Sequence, residues 1–346
     1  MAIFPTVLQD AIVNVPSSDA FKSFEGRGSV YDVARAFIDN TERLVPKQIL
    51  EGAKKSSAHV AKIPVLKKLD PTGVITTARS CDPSDTSVDS AFVSPTYGTY
   101  SFSFHMTPSW NEVNYISFQE EFAWKFMQHL QAFYAELDSD LVAYLDSNAS
   151  LVNASALFGG INTGVVTVPL ADKEDFYKSI PSIMFRNDLS AQRVIDIANP
   201  ESQIMYDSIA RQGAGNAVNT EYQISNFAPY RSNRVVLDTD MVETHYLIPE
   251  GNVGLLEWLP WEYRANKMLN DTDLWTTVAD PMYGLTWGLR YKAKCADLSA
   301  VVGGIADQTN AYVDMYEFSI DLAPFHSYSS DTSSPIYKYQ IGTVTP

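Results

Sequence analysis

Cysteine and histidine are scarce in this 346-residue chain, and their spacing matches no metal or disulfide motif. The two cysteines, Cys81 and Cys295, are too few for a disulfide framework, and we predict that both are free thiols. The five histidines are scattered, and none has a spacing that binds zinc. Glu243 and His245 would point to the same face of a strand. An ordinary strand surface is the simpler interpretation of that pair, and a metal pair stays open.

Basic residues are outnumbered, with 25 Lys and Arg against 41 Asp and Glu, for a net charge of −16. Such a balance argues against an outer surface that binds nucleic acid. The charge is also uneven, because residues 1–70 carry a net charge of +2 and the rest of the chain carries −18. A slightly basic segment joined to a strongly acidic body favours contacts between copies of the chain.

Targeting and catalytic motifs are missing as well. Residues 1–15 lack the basic segment and continuous apolar core of a signal peptide. The longest uncharged window, residues 147–171, is too rich in Asn and Gly to span a membrane. There is no nucleophile elbow and no P-loop, and Gly213-Ala214-Gly215 follows a helical pattern where a dinucleotide loop requires a strand. We therefore predict no enzyme activity, and no catalytic, cofactor or metal site.

The strongest positive signal is one long helix, predicted over residues 109–146. Ser109 and Glu112 form a capping-box pattern at its start. Apolar residues then recur at helical spacing: Phe118, Phe122, Phe126, Leu130, Tyr134, Leu137, Leu141 and Leu145, with Met127, Phe133 and Val142 beside them. Asp138 is expected on a solvated face with Glu136 or Asp140. Such a helix is about three times the average length, which favours a spine that other elements cross, although a coiled coil or bundle stays open.

The segments before the spine predict an arm, short helices and a hairpin. Residues 1–28 hold apolar pieces without a period, which is typical of an arm ordered by a neighbouring subunit. Residues 29–40 read as a helix with Ser29 and Asp32 as caps, and residues 47–55 as a further helical turn. Residues 60–106 read as a long hairpin whose return strand, residues 99–106, alternates apolar and polar side chains. A two-stranded ribbon is marginal in water, so the hairpin implies a partner surface.

Short mixed elements follow the spine. We predict helices over residues 173–186, with a kink at Pro181, and over residues 201–210, ended by Gly213. The predicted strands cover residues 165–170, 193–198, 222–227, 234–237, 244–248, 253–258, 284–294 and 312–322, with a Pro-Glu-Gly turn at 249–251. Residues 326–346 read as a Ser- and Tyr-rich tail. These elements predict an α+β fold.

The order of these elements resembles the major capsid proteins of tailed double-stranded DNA bacteriophages, the HK ninety-seven-type fold that encapsulins also use. Two stretches add to the likeness, YLIPEGNVGLLEW at residues 246–258 and DQTNAYVDMYEFSIDL at residues 307–322. The resemblance implies an N-terminal arm and short helix at 1–55, an E-loop hairpin at 56–106 and a peripheral domain with the spine at 107–169. It further implies an axial domain at 170–290, returning peripheral strands at 291–325 and a C-terminal tail at 326–346.

The resemblance also implies a function and its partners. The chain would assemble with itself into the pentamers and hexamers of a shell, with a separate scaffolding protein and a portal. It would meet packaged double-stranded DNA only non-specifically, bind no membrane and form a virion capsid assembled in the host cytoplasm. The expected subunit contacts are Phe4, Val7, Leu8, Lys54, Lys55, Lys67, Lys68, Tyr100 and Phe102. An encapsulin-like compartment, an acidic α+β hydrolase and a tail or decoration protein stay open as alternatives.

Overall fold

Six α-helices and fourteen strands make up the described part of the chain. The computed structural model describes residues 31–56, 59, 62–66, 90–106, 118–150, 161–162, 165–186, 189, 193–214, 227–266, 268–270, 273–296, 311–328 and 334–343. The helices are α1 Asp32–Leu44, α2 Lys47–Lys54, α3 Phe118–Ser147, α4 Lys173–Arg186, α5 Ser202–Ala214 and α6 Trp261–Arg264, and a 3₁₀ turn, Leu170–Asp172, precedes α4. The α+β class predicted from the sequence is confirmed.

A first sheet has six strands, in the order β10-β11-β12-β13-β3, and β9 pairs with the later part of β13. Every neighbouring pair in it is antiparallel. Its strands are β3 Gly98–Met106, β9 Val253–Trp258, β10 Met268–Asn270, β11 Asp273–Ala279, β12 Thr286–Ala296 and β13 Ala311–His326. At 16 residues, β13 is long enough to pair with β12, β3 and β9, so it joins the sheet together.

A second sheet has the order β4-β5-β14-β8-β6-β7. Its strands are β4 Ile161–Asn162, β5 Val165–Pro169, β6 Val194–Ala198, β7 Phe227–Arg231, β8 Met241–Pro249 and β14 Tyr337–Gly342. Two neighbouring pairs are parallel, β14 with β5 and β6 with β7, and the others are antiparallel. The remaining strands, β1 Ile63–Leu66 and β2 Ser90–Val93, form a separate two-stranded sheet, called the hairpin below.

The spine helix α3 buries the predicted stripe. Its side chains from Phe122 to Leu145 at the predicted positions are buried, and so is the second row of Met127, Phe133 and Val142. Phe126 packs on Phe318 of β13 at 4.9 Å between ring centres, and Phe133 packs on Trp287 of β12 at 4.6 Å. The helix ends at Ser147, one residue beyond its predicted end, whereas its predicted start at residues 109–117 lies outside the described residues.

Asp138 of α3 corrects the expectation of a solvated face, because it is buried. One carboxylate oxygen accepts the backbone N–H of Ala34 in the first turn of α1 at 2.8 Å, and the other accepts the hydroxyl of Ser232 at 3.0 Å. An orphan amide at the start of a helix needs an acceptor, which a distant carboxylate supplies here. The prediction that Asp32 caps its own helix is wrong, because no local side-chain hydrogen bond caps the start of α1. Asp32 accepts the backbone N–H of Arg231 at 3.1 Å instead.

The predicted long hairpin is wrong in its pairing. β1 pairs with β2, whereas the strand predicted as its return, β3, pairs with β13 of the first sheet. The alternation of β3 is confirmed, with Phe104 and Met106 buried and the intervening polar side chains more exposed. Alternation identifies a half-buried strand, but it does not identify the partner, because any strand with a complementary apolar face can pair with it.

Three further predictions are corrected. Residues 234–237 form no strand and follow β7 as a turn and an extended segment. Helix α5 runs through Gly213 to Ala214. The predicted tail at residues 326–346 contains a strand, because β14 lies inside the second sheet between β5 and β8. The implied domain division at residue 290 stays a prediction, and the strands β9, β10 and β11 that precede it pair within the first sheet.

Most other predicted elements are confirmed. Helix α4 has the predicted bounds and contains Pro181. The predicted turn joins β8 to β9, and Gly251 there has a φ of 79°, a left-handed conformation that favours glycine. The predicted strand at residues 222–227 lies largely outside the described residues, and β7 begins at Phe227.

Candidate functional site

The hairpin is attached to the subunit at its base. Ile63 is fully buried in a small apolar cluster with Leu256 of β9 and Phe325 of β13, and Val93 packs against the same cluster. The register runs from Ile63 opposite Val93 to Leu66 opposite Ser90. Among the described strands, β1 and β2 pair only with each other. The hairpin is therefore fixed at one end and does not extend either six-stranded sheet.

An aromatic and hydrogen-bonded contact fixes the chain just before the hairpin. The ring of His59 stacks on Tyr97 at 4.8 Å and lies 4.6 Å from the ring of Trp258, and His59 Nε2 is 2.9 Å from Asp321 Oδ2. The indole N–H of Trp258 and the guanidinium of Arg264 both donate to the carbonyl of Ser56, at 3.0 and 3.1 Å. These contacts hold the chain between α2 and β1 against the first sheet.

A groove of about 450 Å³ adjoins this base. Its lining combines indole rings with basic side chains: Lys54, Lys55, Trp258, Trp261 and Arg264. The Trp261 side chain is 60% exposed. Lys54 Nζ is 3.1 Å from Glu257 Oε1 within the subunit, so this lysine already has an internal partner. Aromatic and arginine side chains are enriched at protein interfaces, whereas lysine is depleted, so Trp258, Trp261 and Arg264 make the groove a candidate contact surface.

The predicted contact residues divide into three groups. Phe4, Val7, Leu8, Lys67 and Lys68 lie outside the described residues. Lys54 and Lys55 line the groove, and Lys55 is exposed at the end of α2. Tyr100 and Phe102 are half-buried against their own subunit: the Tyr100 hydroxyl donates to Asp140 at 2.6 Å, and the Phe102 ring stacks on Phe318 at 5.0 Å. That these nine residues contact a neighbour stays a prediction.

A second notable arrangement, called the charge cluster below, lies on the face of the second sheet covered by α4. Its buried anions are Asp196 of β6 and Glu243 of β8, and buried His245 lies between them. His245 Nδ1 is 2.8 Å from Asp196 Oδ1, and its Nε2 is 3.4 Å from Glu243 Oε2. Arg231 Nη1 donates to Asp196 Oδ2 at 2.8 Å, and Lys173 forms an ion pair with Glu243.

The charges in the cluster shift each other's ionisation. Burial raises the pKa of a carboxyl group, but His245 and Arg231 outweigh it at Asp196, so the pKa of Asp196 is lowered. Burial likewise opposes ionised Glu243, and His245 and Lys173 outweigh it, so the pKa of Glu243 is lowered too. For His245, burial disfavours the cation, but the two carboxylates prevail and the pKa is raised. The cluster therefore favours charged partners throughout.

The cluster corrects the interpretation of Glu243 and His245 as an ordinary strand surface, because both side chains are fully buried. Glu243 and His245 do share one face of β8. Lys173 of α4 forms an ion pair with Glu243 there, and Arg231 of β7 forms one with Asp196, so both carboxylates of the cluster are already neutralised. In the described part of the chain, no three His, Cys, Asp or Glu side chains are grouped as a metal site. The arrangement links α4, β6, β7 and β8 by buried ion pairs and hydrogen bonds.

Sequence reasoning did not identify Lys173, Asp196 and Arg231 as members of this cluster. A usable signal was present for Asp196, which interrupts the apolar run Val194-Ile195-Asp196-Ile197-Ala198. A charge inside a strand that is buried on both faces requires a buried partner. The partner itself was not visible, because β8 lies about fifty residues away and its register with β6 is set only by folding.

Comparison with known proteins gives similarity in structure only. No family model matches the chain, and no curated protein matches it. The chain is similar to the capsid of Cyanophage P-SCSP1u, at 11% identity and a TM-score of 0.47, covering 90% of this chain and 89% of that one. It is also similar to the capsid of Ralstonia phage GP4, at 9% identity and a TM-score of 0.45, covering 92% of each chain.

A third similar structure is the encapsulin complex of Synechococcus elongatus, at 8% identity and a TM-score of 0.42, covering 88% of this chain and 91% of that one. In the described residues, no helix is both long and apolar enough to cross a membrane. Cys295 is an exposed free thiol, as predicted, and Cys81 lies outside the described residues.

Proposed function

We propose that this chain is the repeating subunit of an icosahedral shell that encloses a double-stranded DNA phage genome. The observation that carries the proposal is the hairpin, whose described strands pair with neither six-stranded sheet of their own subunit. A two-stranded ribbon gains little stability alone in water, so a second surface must cover it. A neighbouring copy that is reached by one fixed hairpin makes a heterologous contact, which is the kind that closes a ring.

The base of the hairpin supports this proposal. Ile63, His59 and the carbonyl of Ser56 hold it to the first sheet. The adjoining groove supplies exposed indole and basic groups to a chain whose net charge is −16. A basic groove on one copy that meets an acidic surface on the next favours a defined register between them.

The proposed shell also has defined oligomers, protein partners and a place of assembly. The subunits form pentamers and hexamers, a separate scaffolding protein directs their curvature, and a portal occupies one vertex. Strongly acidic subunits contact packaged DNA only weakly and without sequence preference, since like charges repel. The particle is a virion capsid that assembles in the host cytoplasm.

The test replaces residues 67–89 with a four-residue Gly/Ser turn. Leu66 and Ser90 face each other in register, so a short turn can close the strands without disturbing the base. We expect an unchanged thermal unfolding transition of the subunit and at least a tenfold loss of particles in negative-stain micrographs of material expressed with the scaffolding protein. Removal of residues 344–346 is the matched control. Normal particle yield from the shortened hairpin would remove the basis of the proposal.

An encapsulin-type compartment is the second candidate, because the same hairpin would serve any closed shell. Purified particles separate the two functions. Particles of a phage capsid, recovered from an infection, contain double-stranded DNA that resists added nuclease. Particles that contain protein cargo and no nucleic acid would support the compartment instead.

A further inference from the structure

The charge cluster contains an asymmetry that the shell function does not use. Both ring nitrogens of His245 face carboxylates, but Asp196 is 2.8 Å away and Glu243 is 3.4 Å away. A protonated imidazole donates two N–H groups and satisfies both acceptors, whereas a neutral imidazole donates only one. On deprotonation, the shorter contact to Asp196 retains the proton, and the remaining nitrogen presents a lone pair to Glu243.

Glu243 is also the carboxylate that contacts α4. Its second oxygen forms the ion pair with Lys173, the first residue of that helix, and the Tyr177 hydroxyl lies 3.4 Å from the oxygen that faces His245. A carboxylate repelled by an imidazole lone pair loses its fixed position under the helix. Loss of one proton on β8 thus acts on the first turn of α4.

We propose that His245 is a pH-dependent link between α4 and the second sheet. When it is protonated, it joins Asp196 of β6 to Glu243 of β8 and holds Glu243 in place for Lys173 and Tyr177. When it is neutral, this link opens and the first turn of α4 loosens from the sheet. The proposal concerns the subunit alone and does not depend on the shell function.

Five described elements bring charged or titratable groups to His245, among them two carboxylates that favour the imidazolium and two cations that disfavour it. Helix α4 contributes Lys173 and Tyr177, β6 contributes Asp196, β7 contributes Arg231, β8 contributes Glu243, and β14 places Tyr339 opposite His245 in register. With a neutral imidazole, the cluster holds two cations and two anions, and protonation adds a third cation. Burial opposes that added charge, but the two carboxylates stabilise it more, and the pKa of His245 is raised.

The sign of the pH dependence follows. A raised pKa in the folded state means that the link is fully formed below the ordinary value of about 6.5 and is lost as pH rises through the folded value. The rest of α4 stays in place, because Ile180 and Ile183 are buried against the sheet. The loosening is therefore confined to the start of the helix.

The experiment measures amide hydrogen exchange of the full chain between pH 6 and pH 9, with rates corrected for the intrinsic pH dependence of exchange. We expect exchange in the peptide covering residues 173–180 to rise at least fivefold in wild-type protein, and exchange in α3 to stay constant. His245→Gln should abolish the pH dependence. His326→Gln, which changes another poorly exposed histidine on the first sheet, should retain it. A wild-type α4 with no pH dependence, or a His245→Gln variant that keeps it, overturns the proposal.

A second measurement keeps the proposal testable if His245→Gln does not fold. Carbon-13 labelling of histidine in the wild-type chain gives a titration curve for each of the five side chains by NMR, and substitution of the other four histidines in turn identifies His245. We expect its midpoint above 6.5 and coincident with the rise in exchange of α4. A midpoint at or below 6.5, or a midpoint separate from the exchange transition, overturns the proposal equally.

Discussion

Single buried side chains decide how α1 meets the spine helix. Asp138 reaches from α3 to the Ala34 amide and to Ser232, so one carboxylate ties the spine to α1 and to the segment after β7. Burial raises its pKa to about 6, and the hydrogen bonds and Arg234 offset only part of that rise. The folded protein thus binds this proton more tightly than the unfolded chain does.

The sign of that shift gives a stability prediction. As pH rises from about 4 to about 6, ionisation of Asp138 lowers the free energy of unfolding by about 3 kcal/mol, and the loss persists above pH 6. Asp138→Asn keeps an acceptor for the Ala34 amide and cannot ionise. We expect urea unfolding to show the variant to be about 1–3 kcal/mol more stable than wild type at pH 8 and no more stable at pH 4.

Glu136→Gln is the matched control, because this neighbouring acid on the same helix is exposed. It should leave stability unchanged at both pH values within about 0.5 kcal/mol. An Asp138→Asn variant that is less stable than wild type at pH 8 would mean that the charge itself, through its hydrogen bonds, outweighs its burial.

At the scale of elements, α3 stabilises the subunit through one face. Phe126 is fully buried among Phe102, Phe122 and Phe318, whereas Gln128 is exposed two residues later. Phe126→Ala should lower the free energy of unfolding by about 3–5 kcal/mol, since the vacated ring leaves a cavity among rigid aromatic neighbours. Gln128→Ala should change it by under about 0.5 kcal/mol.

Chemical denaturation of an assembly-blocked subunit measures both of these effects. The same method applied to Trp124→Ala, a large apolar side chain on the exposed side of α3, gives a control for size. If Gln128→Ala lowered the free energy of unfolding as much as Phe126→Ala, the buried face of α3 would be assigned wrongly.

Strand β14 is the element whose removal tests the second sheet. It lies between β5 and β8, and its Tyr339 and Ile341 are buried against α4. A chain that ends at residue 336 leaves both neighbouring strands with an open edge, so we expect it to lose the cooperative thermal transition seen by circular dichroism. A chain that ends at residue 343 should melt as wild type does. Equal melting of the two truncations would contradict the position of β14 inside the sheet.

At the scale of the whole molecule, the proposed shell predicts that the N-terminal arm is buried on a neighbouring copy. Residues 1–15 carry apolar side chains without a helical or strand period. We predict that these side chains are removed from water on a neighbouring copy, and that this burial orders the arm.

Deletion of residues 1–15 should therefore leave the far-UV spectrum of the subunit unchanged and reduce assembly strongly, as measured by particle counts and sedimentation. Deletion of residues 344–346 controls for truncation as such. Unfolding of the arm-deleted subunit, or normal assembly by it, would show that the arm belongs to the subunit core or is dispensable.

The sequence by itself determined the local elements. The helical period of residues 118–147, the alternation of β3 and the glycine turn at Gly251 each depend on near neighbours, so their side chains reveal them without the fold. The same reasoning found α4 with its bounds and predicted which face of α3 is buried. It also found the α+β class, which depends only on which element types occur.

Only the tertiary structure decided which elements meet. The alternation of β3 is compatible with any partner strand that has an apolar face. In the folded subunit β3 pairs with β13 and not with β1. The polar, Tyr-rich sequence of β14 does not predict a buried strand, because Tyr337 and Tyr339 become buried only once α4 and β8 surround them. Asp196, Glu243 and His245 form a cluster because β6 and β8 pair in one register, and long-range register is a property of the whole chain.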